Sequence, residues 1–210
     1  GPHVNRVAAY SVALYEGWAA LKGLAQDEID RTRDILRMAA MLHDVGKVAI
    51  SDNILKKPGK FTPEEYDVMK LHTVYGARLF PDVYSELDES AVAVALNHHE
   101  RWDGNGYPGH ISLATLKPLP GYEKEDGTAR GKKGEEIPLF GRIVAIADVY
   151  DALSNRRCYK EAWDQNEVLE TLKKDAGTFF DPELVEVFLD NIDAIRQLGA
   201  QFPDEQDAHA

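Results

Sequence analysis

The chain is nearly devoid of cysteine: Cys158 is the only one in 210 residues. An internal disulfide is therefore excluded, and the composition suits a reducing compartment, the cytoplasm. Long apolar runs are missing as well. Nothing approaches the roughly 18 residues that suggest a membrane span, and no secretory signal is visible. Positive charge is scarce: 24 Lys and Arg stand against 36 Asp and Glu, a net charge of −12. So acidic a chain lacks the basic face that polymeric nucleic acid requires, although a local basic pocket can still hold a small anion. Neither a membrane nor a nucleic-acid polymer is expected as a partner. There are no internal repeats and no convincing strand patterns.

What is present is helical periodicity. Val7, Tyr10, Leu14, Trp18 and Leu21 recur at steps of three and four, predicting a helix over 4–22. The same pattern predicts a helix over 29–43. Thr62 as N-cap, Pro63 at the first helical position and Glu65 completing a capping box start a helix that is expected to run to about Phe80, with His72 near its middle and Pro81 limiting it. Further helices are expected over 88–100, 139–155, 164–175 and 182–198. Residues 101–138 read as a long glycine- and proline-rich loop, and its GYEKEDGTARGKKGEE stretch as polar and mobile. The fold class is all-α, a bundle of about seven to eight helices. Gly1 and Pro2 read as a scar of tag removal from a fragment of a longer protein, 3–199 as one domain, and 200–210 as a flexible tail.

Chemistry concentrates near the helix ends. His43 and Asp44, then His72, then His98 and His99, then Asp148 are spread over about a hundred residues, and they use four of the seven histidines. Imidazole and carboxylate are ligands for zinc and first-row transition metals. Six are too many for one site that keeps a position open for water; they suit two metals sharing a carboxylate, the usual apparatus for cleaving a phosphate ester. Each piece alone has a plainer reading: a C-cap histidine beside an ordinary acid for His43–Asp44, a polar cap for His98–His99, a partly exposed helix residue for His72. Asp148 interrupts the apolar run IVAIADVYDAL and must pair, cap or bind something. Gly104, Gly106 and Gly109 permit unusual backbone shapes, while Tyr107 and Pro108 offer stiff, flat surfaces to a ligand or a partner protein; the plain alternative is a turn. Glu100 and Asp103 read as orienting the ligating histidines rather than binding metal. Arg156, Arg157 and Lys160 follow an apolar helix, as a solvated helix end or as a phosphate site.

HDVGK at 43–47, HHERWDGNGYPG at 98–109 and ADVYDALSNRRCYK at 147–160 together resemble the HD-GYP family of cyclic dinucleotide phosphodiesterases, over roughly residues 3–190. The resemblance implies an HD-domain helical bundle with a long GYP-containing loop and a metal cluster in its core. It implies hydrolysis of cyclic di-GMP, or of a related cyclic dinucleotide such as cyclic GMP-AMP, to a linear dinucleotide. His43, Asp44 and Asp148 would hold one divalent metal, and Asp44 would bridge to a second held by His72, His98 and His99. Iron or manganese is implied. Asp44 and Lys47 would serve the chemistry, Lys47 contacting the scissile phosphate; Arg157 and Lys160 would hold the substrate's phosphates, with Gly106, Tyr107 and Pro108 at the substrate. His3 matches a histidine that in some members joins a glutamate on a third metal, but that glutamate position precedes this sequence. The segment about 112–134 is longer than the family's short turn, an insertion placed to act as a lid or a partner contact. Cys158 stands where proline is common.

The resemblance also implies signalling partners, GGDEF-type or other, at the GYP loop, leaves room for a homodimer, and places the protein in bacterial signalling. Two other readings stay open: a catalytically silent receptor for a cyclic dinucleotide, and a phosphohydrolase acting on another phosphate ester. An oxygen-activating di-iron enzyme fits the ligand types, but the basic residues favour a phosphate substrate.

Overall fold

The structure, a computed structural model, describes residues 1–155 and 162–204. The expected phosphate-holding residues Arg157 and Lys160, together with Arg156, Cys158 and residues 205–210, lie outside the described residues.

Among the described residues the fold is all-α. Helices α1 (Pro2–Lys22), α2 (Gln26–Met41), α3 (Asp52–Leu55), α4 (Pro63–Lys70), α5 (His72–Arg78), α6 (Glu86–Asn97), α7 (Leu139–Ser154), α8 (Gln165–Asp175), α9 (Pro182–Asp190) and α10 (Ile192–Ala200) are joined by two 3-10 turns, Val45–Ala49 and Gly134–Glu136. No strand forms among these residues, only four isolated bridges. The long helices α1 and α7 carry the core. Val7, Tyr10 and Leu14 of α1 meet Ile143, Ile146 and Tyr150 of α7, with Leu36 of α2 and Phe188 of α9 closing the cluster. Tyr150 packs edge-on against both Tyr10 and Phe188, with ring centroids 5.1 and 5.0 Å apart. Apolar burial on this scale dominates the stability of the bundle.

Ten helices among the described residues replace the expected seven or eight because two predicted helices are broken and one short one, α3, was not expected. The helix predicted from Thr62 to Phe80 starts as expected, with Thr62 Oγ1 accepting from the Glu65 amide at 3.2 Å. It breaks at Leu71, so His72 opens α5 instead of sitting in mid-helix. The cause is close packing. The 3-10 turn Val45–Ala49 lies against the start of α5, and a Cβ on Gly46 would collide with the His72 carbonyl and lie 2.9 Å from Gly76 Cα. Only glycine permits this approach, which carries Asp44 to His72. The 182–198 helix breaks at Asn191, whose amide Nδ2 donates to the Val187 carbonyl at 2.8 Å. His43, Asp44, His98 and His99 lie just past the ends of α2 and α6 rather than within them.

The 101–138 segment is more ordered than its composition suggested. Residues 110–119 and 122–130 form two small hairpin-like turns, tied by Leu119 N–H to His110 O at 2.8 Å and Arg130 N–H to Tyr122 O at 2.8 Å. His110 N–H joins them by donating to Arg130 O at 2.9 Å. Arg78 Nε anchors the first to α5 through the Leu113 carbonyl at 2.7 Å. The start of the expected tail is also held: Arg6 donates to Phe202 O and Asp204 Oδ1 at 2.8 and 2.9 Å.

Gly46→Ala is expected to destabilise the protein by at least about 3 kcal/mol, because the added methyl meets backbone that cannot step aside. Urea unfolding followed by circular dichroism measures it; an unchanged midpoint would contradict the packing described.

Candidate metal centre

Side chains from the ends of α2 and α6, the starts of α1 and α5, and the interior of α7 gather around one carboxylate. Asp44 Oδ1 faces His72 Nε2 at 3.3 Å and His98 Nε2 at 3.4 Å. Asp44 Oδ2 faces His43 Nε2 at 3.3 Å and takes Lys47 Nζ at 2.8 Å. Across His43, Asp148 Oδ1 lies 3.6 Å from Nε2. His99 packs on His98 and His72 with ring centroids 4.1 and 5.1 Å away. Ligand atoms of Asp44, His72, His98 and His99 form one tight group, and those of His3, His43 and Asp44 a second. Asp44 belongs to both.

The orientation of the imidazoles decides what this geometry can do. Each of three rings points Nδ1 at a backbone carbonyl: His43 at Ala40 O (2.7 Å), His72 at Met69 O (2.7 Å), and His98 at Val94 O and Ala95 O (3.0 and 3.1 Å). A carbonyl has no proton to offer, so Nδ1 carries the hydrogen and a neutral ring turns its Nε2 lone pair inward. His72 Nε2 and His98 Nε2 are then two lone pairs 3.4 Å apart beside a carboxylate oxygen. Asp44 Oδ1 and His43 Nε2 are buried and make no hydrogen bond. Buried acceptors facing one another without a donor are costly. A cation removes that cost, and the mixed imidazole–carboxylate set is the donor chemistry of zinc, iron and manganese sites. The residues fit a metal cluster.

Protonation points the same way. Burial alone would lower His43, but Asp148 and Asp44 outweigh it and raise it to about 10, the pull of two carboxylates toward a positive charge between them. Burial, reinforced by neighbouring His98, holds His99 down to about 2, a neutral ligand at any working pH. Against the burial that opposes it, Asp148 is held well below the carboxylate range by His3 and His43. The imidazoles of His43, His72 and His98 are at most 2% exposed, while Asp44 and Asp148 keep 21% and 17% and Lys47 39%. The cluster therefore meets solvent along its carboxylate and lysine side.

Two sequence expectations are corrected. Glu100 and Asp103 reach no histidine among the described contacts, since backbone carbonyls already hold the Nδ1 atoms. Buried Glu100 instead accepts from the Gly109 and Lys132 amides at 2.5 and 3.1 Å, while Lys132 Nζ donates to buried Asn97 Oδ1 at 2.5 Å. Asp103 caps the Asn105 amide at 2.9 Å and pairs with Arg101 at 2.6 Å. Both carboxylates shape the loop rather than the rings. Tyr107 is turned inward: it stacks on His99, with centroids 5.0 Å apart and an interplanar angle of 13°. Gly106 makes the turn possible, because a Cβ there would lie 2.5 Å from the His99 carbonyl oxygen and 2.7 Å from the Glu100 carbonyl carbon. Pro108 follows through a cis peptide bond.

A further carboxylate was missed. Asp151, buried at 2% exposure, binds Arg6 Nε at 2.6 Å and His3 Nδ1 at 2.6 Å. This leaves His3 Nε2 3.3 Å from Asp148 Oδ1, within the cluster. The pairs His3–Arg6 and Asp148–Asp151 each sit three apart on a helix face, the spacing that could have exposed the link.

The chain is similar to known proteins. The HD domain family model matches residues 2–153. The chain is 39% identical over 204 residues to 3'3'-cGAMP-specific phosphodiesterase 2 of Vibrio cholerae, covering 97% of this chain and 34% of that protein. It is 40% identical over 180 residues to the cyclic di-GMP phosphodiesterase response regulator RpfG of Xanthomonas campestris, covering 86% and 41%. The chain thus spans well under half the length of these curated relatives. Among solved structures, an HDG"Y"P protein from Bdellovibrio bacteriovorus aligns with a TM-score of 0.58 at 19% identity, over 91% of this chain and 51% of that one. The HD domain of the Listeria monocytogenes phosphodiesterase PgpH, in complex with cyclic di-AMP, aligns at 0.52 with 16% identity, over 98% and 94%. At such identities the structural likeness speaks for the fold.

Asp44→Ala removes the oxygen common to both groups. It is expected to abolish bound transition metal, read by mass spectrometry of protein purified from metal-supplemented culture, while helical circular dichroism persists. Lys47→Ala is expected to keep its metal. Full metal content in Asp44→Ala, or parallel loss in Lys47→Ala, would contradict these assignments.

Proposed function

The chain belongs to the HD domain family, and on that premise we propose that it is a metal-dependent phosphodiesterase that hydrolyses cyclic di-GMP, or a related cyclic dinucleotide such as cyclic GMP-AMP, to a linear dinucleotide. The observation that carries this reading is the half-buried Asp44 carboxylate, whose buried Oδ1 is faced by imidazole nitrogens with their hydrogens turned away. In this reading His43, Asp44 and Asp148 hold one divalent ion, Asp44, His72, His98 and His99 a second, and His3 stands beside the first. The donor set accepts iron and manganese alike.

Bound there, such ions supply a Lewis acid for a phosphoryl oxygen and a lowered pKa for water. The chain's own residues do the rest. Lys47, 2.8 Å from Asp44 Oδ2 and partly exposed, puts its ammonium beside the cluster where charge on a reacting phosphate would collect. Glu100 grips the Gly109 and Lys132 amides and keeps Tyr107 flat on His99, so the loop is fixed before substrate arrives. Arg157 and Lys160 serve the substrate's phosphates in this proposal. No side-chain nucleophile is required. The relatives' names support the substrate class, as does a local cation set in an otherwise acidic chain. The same reading puts the reaction in the cytoplasm and leaves the GYP loop as the contact for other signalling proteins, GGDEF-type among them; no helix of the described residues is long and apolar enough to cross a membrane.

Metal-loaded protein incubated with cyclic di-GMP is expected to yield the linear dinucleotide by HPLC. Lys47→Ala is expected to lower kcat by about 10²–10³-fold, the usual cost of removing one preorganised charge-stabilising group. Failure of the wild-type protein to cleave any cyclic dinucleotide under iron or manganese loading would overturn the reading.

A further inference from the structure

We propose that the folded segment between Gly109 and Gly134 completes a guanine-binding cleft, with Asp126 reading the base edge, for the nucleoside of the substrate that lies away from the bond being broken. The proposal rests on the phosphodiesterase reading above.

The cleft has three built sides. Tyr66 and Lys70 of α4 form one wall, Tyr107 and Pro108 the floor, and the two hairpin-like turns the opposite wall. Its volume, 610 Å³, falls within the range of small-molecule sites. The far wall is not loose chain: backbone hydrogen bonds close both turns, and Arg78 pins the first to α5. Ile111 and Leu116 give that wall an apolar face.

Its position ties it to the metal centre. Tyr107 forms the floor and also stacks on His99, so one aromatic ring separates the cleft from the ligand cluster. A dinucleotide with one phosphate at the cluster must place its bases within a nucleotide's length of it. Tyr66 meets Tyr107 edge-on with centroids 6.3 Å apart; His99 covers one face of Tyr107 and the Lys70 ammonium sits over both tyrosine rings, so this wall meets a base with aromatic rings and a cation together. Lys70 Nζ lies 4.7 Å from the Tyr66 centroid and 5.7 Å from that of Tyr107, a cation at the cleft wall for a phosphate or a purine carbonyl.

The edge chemistry selects guanine. Asp126 Oδ1 is occupied by the Thr128 amide and hydroxyl at 2.9 and 2.6 Å. That fixes the side chain at the turn and leaves Oδ2 to accept. Guanine presents two adjacent donors, N1–H and the 2-amino group, which a carboxylate accepts together. Adenine presents its 6-amino donor beside the N1 lone pair, which a carboxylate repels.

The test compares the wild type, Asp126→Asn and Tyr66→Ala with manganese loaded, on cyclic di-GMP, cyclic di-AMP and bis(p-nitrophenyl) phosphate, a diester without bases. Asparagine keeps the Oδ1 acceptor for Thr128 but replaces the Oδ2 acceptor with an NH2 donor, so the charge and the acceptor offered to the base are lost together. Asp126→Asn is expected to lower the ratio of kcat/KM for cyclic di-GMP over cyclic di-AMP about tenfold, chiefly through KM, the usual weight of a hydrogen bond to a charged group. Tyr66→Ala is expected to lower kcat/KM for both dinucleotides about tenfold relative to the simple diester. Ratios within twofold of wild type in both variants would overturn the cleft while leaving the phosphodiesterase reading standing. If the wild type cleaves none of the three, that reading falls instead. The cleft is then judged by calorimetric titration with cyclic di-GMP: a tenfold weaker affinity of Asp126→Asn sustains it and an unchanged affinity rejects it.

Discussion

A carboxylate oxygen buried among imidazole lone pairs cannot be left as it stands. Asp44 Oδ1 has no hydrogen-bond donor, and the His72 and His98 nitrogens that face it have their own hydrogens committed to backbone carbonyls. In a dry interior this costs several kcal/mol per charged group unless a cation or a proton intervenes. The raised His43 shows the proton's version of the remedy. Divalent ions held there, as proposed, would be the version that also supplies chemistry.

Much of the architecture serves that convergence. Helix α2 must stop before His43, so that Asp44 can turn toward α5. Helix α5 must begin at His72, so that Nδ1 can reach the Met69 carbonyl. Helix α6 must stop before His98 and His99. Gly46 lets the turn after Asp44 touch the α5 backbone, and Gly106 lets the next loop fold under His99. The break at Leu71 is therefore tied to the site. The core of α1, α7 and α9 supplies the stability that holds these ends in place, and Asp148 reaches the cluster from the buried helix α7.

The sequence made the helical class and the gathering of these histidines and carboxylates readable, because apolar periodicity and clustered histidines are local signals. His43, Asp44, His72, His98, His99 and Asp148 do come together, and His3 joins them. The break at Leu71 was not readable, because it arises from Gly46 meeting the His72 carbonyl across a gap of 26 residues. The roles of Glu100 and Asp103 were misjudged for a similar reason: nearness in sequence to the histidines suggested support for the rings, whereas the carbonyls of α6 already supply it and the acids are free to fold the loop. Tyr107 looked outward in sequence and packs inward on His99. Asp151 escaped notice because its partner Arg6 is 145 residues away. The 121–136 stretch looked mobile from its polar composition, although backbone-to-backbone hydrogen bonds, which leave little trace in residue type, close the turn at 122–130.

The most direct measurement is anomalous X-ray diffraction from crystals of protein grown with manganese, recorded on both sides of the metal edge. The account expects two anomalous peaks flanking the Asp44 carboxylate, one beside His43 and Asp148 and the other beside His72, His98 and His99. No peak at Asp44, or metal bound only elsewhere on the protein, would contradict it.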